Sequence, residues 1–481
     1  MGSLNTALTG AASALDAFQY ALNVSQNNID NASTPGYAKQ TASLEADPFN
    51  PALGLTGGVS QGPTVDSRDP MAEADVWQQS SAQGAATAQS DALTDLQNAL
   101  PTSDGDGIPG ALTNFFTAVS AWSASPSDSS TAQSVIDAAG SLAQSFNTTA
   151  AAVGSVAQSV SQSIGDTVSQ INGLTGQLAS LNASVENGGQ QDAGVSAQIY
   201  SSLETLSGLV NIQVLPQTNG AVEVTLAGGA PLVIGTQQFQ ISSSPVAAAA
   251  SPPIDTSAPA HAAIYAADGT DVTGQIASGT LAGQLQVLNV AIPAVIGDSA
   301  QPGALNELAT QVAADVNGIV GAGYVSAGVP ATGGLFVPTD PNHPDSAAAN
   351  LALNAGMTAS GLPAIGIENG SSVPNGVPLA LGALASTPTA NSLLGDNSYT
   401  AYYGNAAAEV GSQLNQQQSN QSLATQSLAQ AQSMRQTDEG VDLNTEAVNV
   451  MQLQESYQAV AKVVNTLETL TQALINMMPT S

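Results

Sequence analysis

Residues 25–40 read SQNNIDNASTPGYAKQ and mark the end of the first helix that the sequence predicts. Asn and Asp side chains compete with a helix for backbone hydrogen bonds, and a proline disfavours helical backbone in the residue before it, here Thr34. A Pro-Gly pair suits the central positions of a type II turn. The sequence therefore predicts a sharp helix stop followed by an extended segment. The residues of this turn motif are Asn27, Asn28, Asn31, Pro35, Gly36 and Tyr37.

Upstream of the turn motif, apolar residues recur at alternating steps of four and three, and only Ser25 interrupts them. Besides Ala11, the members are Leu4, Leu8, Leu15, Phe18, Leu22 and Ile29. Such a repeat averages about 3.5 residues, which is the period of a left-handed coiled coil. The pattern predicts a helix with one continuous apolar seam.

A second seam with the same spacing closes the chain, and only Thr471 interrupts it. Its members are Val450, Leu453, Tyr457, Val460, Val464, Leu467 and Leu474, followed by Met478. Ordinary amphipathic helices on a globular core also carry such seams. Two matching seams at opposite ends of one chain favour burial of one against the other. We therefore predict that the residues of both seams form an assembly interface.

Between the seams the periodicity changes from helical to strand-like and back. The stretch from Ser130 to Val185 has no proline, which indicates a long helix or a closely broken pair. Asn219-Gly220 and Gly228-Gly229 separate short alternating apolar runs, a pattern typical of β-hairpins. Residues 40–75 have the composition of loops and short strands.

The predicted fold class is mainly α with an inserted β domain: terminal coiled-coil helices, an elongated helical rod domain and an outer β-hairpin domain. The predicted regions are 1–75 with 437–481 as the terminal coiled-coil assembly region, 76–209 with 281–324 and 396–436 as the helical rod domain, 210–280 as the β domain, and 325–395 as a loop-rich variable segment.

The charge balance excludes several classes of function. Lys and Arg total 4 against 36 Asp and Glu, so the formal net charge is 4 − 36 = −32. The four cations are Lys39, Arg68, Arg435 and Lys462, and positions 69–434 contain none. Nucleic acids and anionic lipid surfaces need cationic side chains, so we expect no nucleic-acid partner. No apolar run reaches the roughly 20 residues that span a bilayer, so we expect no membrane insertion.

The N-terminus lacks the basic segment and continuous apolar stretch of a secretory signal. We expect a chain that leaves the cell to do so without a cleaved signal peptide. The chain has 0 cysteines, which removes disulfides and thiolate chemistry.

Candidate catalytic and metal-binding motifs are weak. Residues 58–62 match the G-x-S-x-G pattern around Ser60, but Pro63 follows where a nucleophile elbow needs a helix. Asp104 and Asp106 resemble the start of a calcium loop that lacks its closing Glu. His261 and His343 are isolated in Gly-, Pro- and Ala-rich surroundings. The sequence predicts no enzyme activity, no cofactor and no metal site.

The two terminal motifs carry a family resemblance. Residues 25–40 resemble the N-terminal signature of bacterial flagellar axial proteins, the rod, hook and hook-associated group. Residues 440–462 are similar to the closing helix of that group. Gly36-Tyr37 followed by Gln40 resembles the hook-associated version, whereas hook and rod proteins more often show Gly-Phe-Lys.

The resemblance implies an extracellular structural component of the bacterial flagellum, exported by the flagellar type III apparatus with an export chaperone. It implies a junction adaptor that polymerises through its terminal helices into a ring. Its implied partners are hook subunits on one side and a second junction protein or filament subunits on the other. Another axial protein, such as the hook subunit, is the nearer alternative, and a secreted hydrolase or adhesin is the more distant one.

Overall fold

The computed structural model describes residues 2–50, 55–103, 105–189, 192–244, 262–298, 301–340, 346–368, 371–386 and 393–477. These residues are mainly helical. The helices are α1 (Gly2–Asn31), α2 (Pro70–Asn98), α3 (Gly107–Ala124), α4 (Ser129–Ser184), α5 (Ala193–Leu209), α6 (Thr280–Gln286), α7 (Ile292–Ile296), α8 (Ala304–Gly321), α9 (Ala347–Asn350), α10 (Gly376–Ala383), α11 (Tyr399–Glu439) and α12 (Leu443–Met477).

The strands form small antiparallel sheets. They are β1 (Gln40–Asn50), β2 (Leu55–Asp66), β3 (Ile212–Pro216), β4 (Val222–Leu226), β5 (Pro231–Ile234), β6 (Gln237–Gln238), β7 (Ser242–Ser243), β8 (Ile264–Tyr265), β9 (Tyr324–Ser326), β10 (Val329–Pro330), β11 (Gly366–Glu368) and β12 (Ser371–Val373). Strands β3 to β6 make one sheet in chain order, and the others pair as two-stranded ribbons.

The chain divides into two compact units. Unit 1 comprises Met1–Ser80, Gly173–Phe239 and Thr425–Ser481, and unit 2 comprises Ser81–Asn172 and Gln240–Ala424. Helices α2, α4 and α11 each contribute residues to both. The four predicted sequence regions follow different limits, and that division stays a prediction.

In unit 1 the four-stranded sheet packs on the end of α4. Strand β4 buries Val222, Val224 and Leu226 in strict alternation, as expected for a sheet with one face in a core. Asn182 of α4 is fully buried and holds the sheet in place: its Nδ2 donates to the carbonyls of Val222 (2.8 Å) and Gly235 (2.7 Å), and its Oδ1 accepts from Val222 N (3.0 Å).

Unit 2 has an apolar core built from α3, α4, α8 and the segments that follow them. Trp122, Phe115, Phe146 and Phe336 are fully buried there. The carboxylates of α8 are bound by neutral donors, because the hydroxyl of Tyr399 donates to Asp315 at 2.7 Å and that of Tyr402 donates to Glu307. Unit 2 therefore stabilises its half-buried acids without cations.

The predicted fold class, a mainly helical chain with a β insertion between helical stretches, is confirmed. Helix α4 runs unbroken for 56 residues, and Gly220 and Gly229 adopt φ of 90° at the two predicted hairpin turns. Strands β1 and β2 are longer than the short strands expected after the turn motif, at 11 and 12 residues. Their ribbon exposes Leu44, Phe49 and Val65, so no buried face imposes an apolar alternation on the sequence.

Candidate functional site

The N-terminal seam lies along α1, which packs against α12 and against both strands of the β1–β2 ribbon. Its large residues, Leu4, Leu8, Leu15, Phe18, Leu22 and Ile29, are all half-buried. The buried positions of the helix are Ala17, Ala21, Ser25 and Asn28. Ser25 is the polar position of the seam, and the other three lie beside it. Small residues occupy most of the buried positions of α1, while the large seam residues keep part of their surface exposed.

The C-terminal seam lies on α12, where burial follows the predicted spacing of threes and fours. Val450, Leu453, Tyr457, Val460, Val464, Leu467 and Thr471 are all half-buried. Most other side chains described in this stretch of the helix are exposed. The side chain of Leu474 and the whole of Met478 lie outside the described residues. The structure thus brings the helices of the two predicted seams together, and their role in assembly stays a prediction.

Helix α12 also carries a second apolar stripe, which we call the outer face. It consists of Val448, Met451, Val463 and Leu470, which are 46%, 57%, 51% and 50% exposed. At 3.6 residues per turn these four side chains fall within about a third of the helix circumference, away from the seam. The helix therefore presents an apolar seam to α1 and, among polar residues, four large apolar side chains to solvent.

The turn motif fastens the end of α1 to the start of β1 through Asn28. This side chain is 1% exposed. Its Nδ2 donates to the Gln40 carbonyl at 2.8 Å, and its Oδ1 accepts from Gln40 N and from the Tyr37 hydroxyl, both at 2.9 Å. Asn28 thus hydrogen-bonds both backbone groups of Gln40, the first residue of β1.

The other Asn residues of the motif terminate the helix. Asn31 Nδ2 donates to the Asn27 carbonyl at 3.0 Å and to its side-chain oxygen, and Asn31 Oδ1 accepts from the Thr34 hydroxyl at 3.1 Å. Pro35 follows at an exposed position. These local bonds replace the helical ladder where the chain turns.

Gly36 brings the turn into contact with α5. Its φ is +72°, and a Cβ at this position would lie 2.3 Å from the Ala197 carbonyl oxygen and 2.8 Å from Ser201 N. Only glycine fits a backbone that is both left-handed and this close to a helix. The Pro-Gly pair is therefore a docking point on α5 as well as a turn.

Tyr37 and Lys39 connect the turn motif to α12. Burial, with a smaller effect from the Glu446 carboxylate, raises the pKa of Tyr37 to about 12. The Lys39 ammonium lies 3.2 Å from the carboxylate of Glu446, whose side chain is 2% exposed. The N-terminal and C-terminal motifs thus meet through a mostly buried ion pair.

Two arginines and three carboxylates form a buried cluster behind the turn, which we call the ionic cluster. Arg68 pairs with Glu73 and donates from Nη2 to the Gly36 carbonyl at 2.9 Å. Arg435 bridges Glu73 at 3.0 Å and Glu204 at 2.9 Å. Three of the four cations of the chain therefore bind carboxylates within unit 1.

Glu439 is the third carboxylate of the ionic cluster, and it ends α11. Its Oε1 accepts from Asp69 N at 2.8 Å, and its carbonyl accepts from Lys39 N at 2.9 Å and from the Ser67 hydroxyl at 3.1 Å. Burial, reinforced by Glu73, raises the pKa of Glu439 to about 7, although the Asp69 N–H, Arg68 and Arg435 act in the opposite direction. Near neutral pH this carboxyl therefore changes its charge.

Sequence reasoning missed the ionic cluster, although the confinement of the cations to the two ends of the chain was a signal for it. The partners could not be assigned from sequence, because Glu73, Glu204 and Glu439 lie on three different helices.

The G-x-S-x-G match around Ser60 does not form a nucleophile elbow. Ser60 lies within β2, which continues to Asp66, so the strand-to-helix elbow is absent; its hydroxyl donates to Asp47 at 2.9 Å. His261, His343 and Asp104 lie outside the described residues. Among the residues that the structure does describe, no group of three or more His, Cys, Asp or Glu could hold a metal ion. No helix in the described ranges is long and apolar enough to cross a bilayer.

Two family models match the sequence. The model described as the flagellar hook-associated protein FlgK helical domain matches residues 93–336. The model described as the C-terminal region of the flagellar basal body rod FlgEFG proteins matches residues 429–477, which include all of α12.

Curated relatives carry the name flagellar hook-associated protein 1. The protein from Escherichia coli K12 is 28% identical over 254 residues, covering 51% of this chain and 46% of that protein. The protein from Bacillus subtilis 168 is 30% identical over 242 residues, covering 48% of each chain. The matched segment thus spans just under half the length of these relatives.

The fold has a counterpart among solved structures. The flagellar hook junction protein FlgK from Burkholderia pseudomallei superposes with a TM-score of 0.64 at 17% sequence identity. The superposition covers 76% of this chain and 99% of that structure. At this identity the similarity is one of fold.

Proposed function

The chain belongs to the flagellar hook-associated protein FlgK family, and on this premise we propose that it is a structural subunit of the bacterial flagellum. It joins the hook to the filament from outside the cell, after export without a cleaved signal peptide. Hook subunits contact one side of its ring, and a second junction protein or filament subunits contact the other. The chain acts by assembly and carries no catalytic activity.

The two-faced character of α12 is the observation that carries this proposal. Its seam packs on α1 while the outer face exposes four large apolar side chains. Burying one such side chain contributes roughly 1.5–3 kcal/mol, so a contact that covers the outer face offers a substantial driving force. Neighbouring copies of the chain supply that contact when α1 and α12 line the inner layer of the ring.

Deletion of residues 440–481 in the source bacterium tests this function. We expect cells that keep their hooks, carry no filaments and release filament subunits into the medium, because the ring contacts are removed with α12. The full-length Ser60→Ala variant is the matched control, and we expect it to swim normally. Normal filaments on the deletion strain would refute the proposed function.

The similarity of residues 429–477 to rod proteins gives a second candidate, a rod or hook subunit. The same strain separates the two functions. Loss of a junction subunit leaves hooks in place, whereas loss of a hook or rod subunit removes them. Loss of motility in the Ser60→Ala control would favour the hydrolase alternative.

A further inference from the structure

A cavity of about 230 Å³ lies within unit 2, lined by residues of α2, α4 and α6. On α2 the lining residues extend from Gly84 to Asp95, which is roughly 16 Å along the helix axis. The volume is far above the 10–15 Å³ or so that one ordered water needs. We call this cavity the acidic groove. Its length and volume suit a short segment of extended chain rather than a single ion.

Two carboxylates give the groove its charge. Asp91 and Asp95 are exposed and lie one turn apart on α2, where like charges repel each other. Among the residues that the structure describes, neither carboxylate takes part in a hydrogen bond or an ion pair. The sequence of unit 2 contains no Lys or Arg. A cation that neutralises this pair therefore has to come from outside unit 2.

A buried amide lines the same groove. Gln284 of α6 is only 9% exposed. Its Oε1 accepts from the Thr167 hydroxyl at 3.1 Å, whereas its Nε2 has no acceptor in hydrogen-bond range within the described part of the chain. Buried N–H groups without a partner are rare because they cost free energy. The amide therefore favours a ligand that brings a hydrogen-bond acceptor as well as a positive charge.

We propose that the acidic groove binds an extended peptide segment of a partner protein that carries Lys or Arg at alternate positions. Asp91 and Asp95 are about 6 Å apart along the axis of α2. Every second side chain of an extended peptide points to the same face, and such side chains recur at about 6.5 Å. Two basic side chains of the segment thus bind one carboxylate each, while a peptide carbonyl accepts from Gln284 Nε2.

Other ligand classes satisfy only part of the groove. A linear polyamine matches the two carboxylates but offers no acceptor to Gln284. A divalent cation would meet only two carboxylates, since the described residues include no group of three or more acidic or His ligands. A neutral sugar supplies acceptors but leaves both negative charges uncompensated. A basic peptide satisfies the carboxylates and the amide together.

This inference goes beyond the proposed function and is tested on the purified full-length chain, so that either can fail without the other. Isothermal titration calorimetry at low salt compares two blocked peptides of equal composition and charge, acetyl-Ala-Lys-Ala-Lys-Ala-amide and acetyl-Ala-Lys-Lys-Ala-Ala-amide. We expect the first to bind with a dissociation constant of about 1 mM or below, and the second to bind at least about threefold more weakly. Equal binding of the two peptides, or binding of neither, would overturn the proposal.

Substitutions assign the contacts. We expect Asp91→Asn and Asp95→Asn each to weaken binding of the first peptide about threefold and to reduce its dependence on salt. Gln284→Met should weaken binding to a similar extent and leave the salt dependence unchanged, because it removes a neutral donor. The urea midpoint reported by Trp122 checks that each variant is folded.

Asp137→Asn is the matched control. It removes the same charge from an exposed position of α4 in unit 2 where the carboxylate accepts from Gln133, and we expect it to leave binding unchanged. An equal loss from Asp137→Asn would mean that the peptide responds only to the net charge of the chain. Spermidine that binds as tightly as the first peptide, or maltose that binds and is lost with Asp91→Asn, would replace the peptide by a polyamine or a sugar and overturn the proposal.

Discussion

Asn28 binds the backbone of Gln40 through both halves of its side-chain amide, donating to the carbonyl at 2.8 Å and accepting from the N–H at 2.9 Å. The last turn of α1 therefore fixes the first residue of β1. Because Asn28 is buried, its removal leaves both groups of Gln40 without these partners. The same substitution frees the Tyr37 hydroxyl.

We expect Asn28→Ala to lower the free energy of unfolding of unit 1 by about 3 kcal/mol, since buried polar groups that lose their partners cost 1–3 kcal/mol each. The chain has 2 tryptophans, and Trp77 lies in unit 1 and Trp122 in unit 2. Urea unfolding followed by Trp77 fluorescence in a Trp122→Phe background measures the change. Asn27→Ala, at an exposed position that bonds only within the turn, is the control, and an equal loss from both would contradict this role of Asn28.

Gly36→Ala tests the contact between the turn motif and α5. An added Cβ would meet the Ala197 carbonyl at 2.3 Å, on a backbone whose φ of +72° already disfavours side chains. Gly229→Ala isolates the backbone effect, because Gly229 has a φ of +90° and nothing within 4 Å of its added Cβ. We expect a loss of about 1–2 kcal/mol at Gly229 and a clearly larger loss at Gly36, measured by the same Trp77 readout. Equal losses would mean that the approach to α5 is not tight.

Sequence periodicity predicted the helices and hairpins whose signals are local. The absence of proline in α4, the turns at Gly220 and Gly229, and the seams on α1 and α12 need only spacing and residue type. The two hydrogen bonds from Asn28 to Gln40 span 12 residues. The docking of Gly36 on α5 and the ionic cluster join segments much farther apart in the sequence. Their residue types are visible in the sequence, but their partners are set by tertiary packing.

Arg68→Met tests the ionic cluster. Removing one guanidinium leaves the buried carboxylates of Glu73 and Glu439 short of positive charge and releases the Gly36 carbonyl. Breaking a buried pair by removing one partner costs about 3–5 kcal/mol, and we expect a loss of that size in unit 1 by urea unfolding. Lys462→Met removes a cation from an exposed site and should leave this free energy unchanged. A loss below about 1 kcal/mol for Arg68→Met, the size of a surface pair, would contradict the cluster's contribution.

Glu439 should make the stability of unit 1 depend on pH. Its pKa is raised from 4.5 to about 7 in the folded chain, so folding favours the protonated carboxyl. Glu439 contributes its full stabilisation below about pH 4.5, and this stabilisation is lost as the pH rises through 7. The free energy of unfolding then falls by at most about 1.4 kcal/mol per pH unit. We expect Glu439→Gln to flatten this part of the profile in Trp77-monitored unfolding. The difference between the two chains isolates Glu439 from other titrating groups, and parallel profiles would contradict the raised pKa.

Added salt should raise the stability of unit 2. Positions 69–434 contain no Lys or Arg, so at slightly alkaline pH the carboxylates of unit 2 meet only one another and neutral donors such as Tyr399. Added salt shortens the screening length from about 30 Å at 0.01 M to about 10 Å at 0.1 M and weakens repulsion between exposed carboxylates. We expect sodium chloride to raise the urea midpoint that Trp122 reports in a Trp77→Phe chain. A fall in the Trp122 midpoint with added salt would mean that attractive charge pairs, rather than repulsion, dominate unit 2.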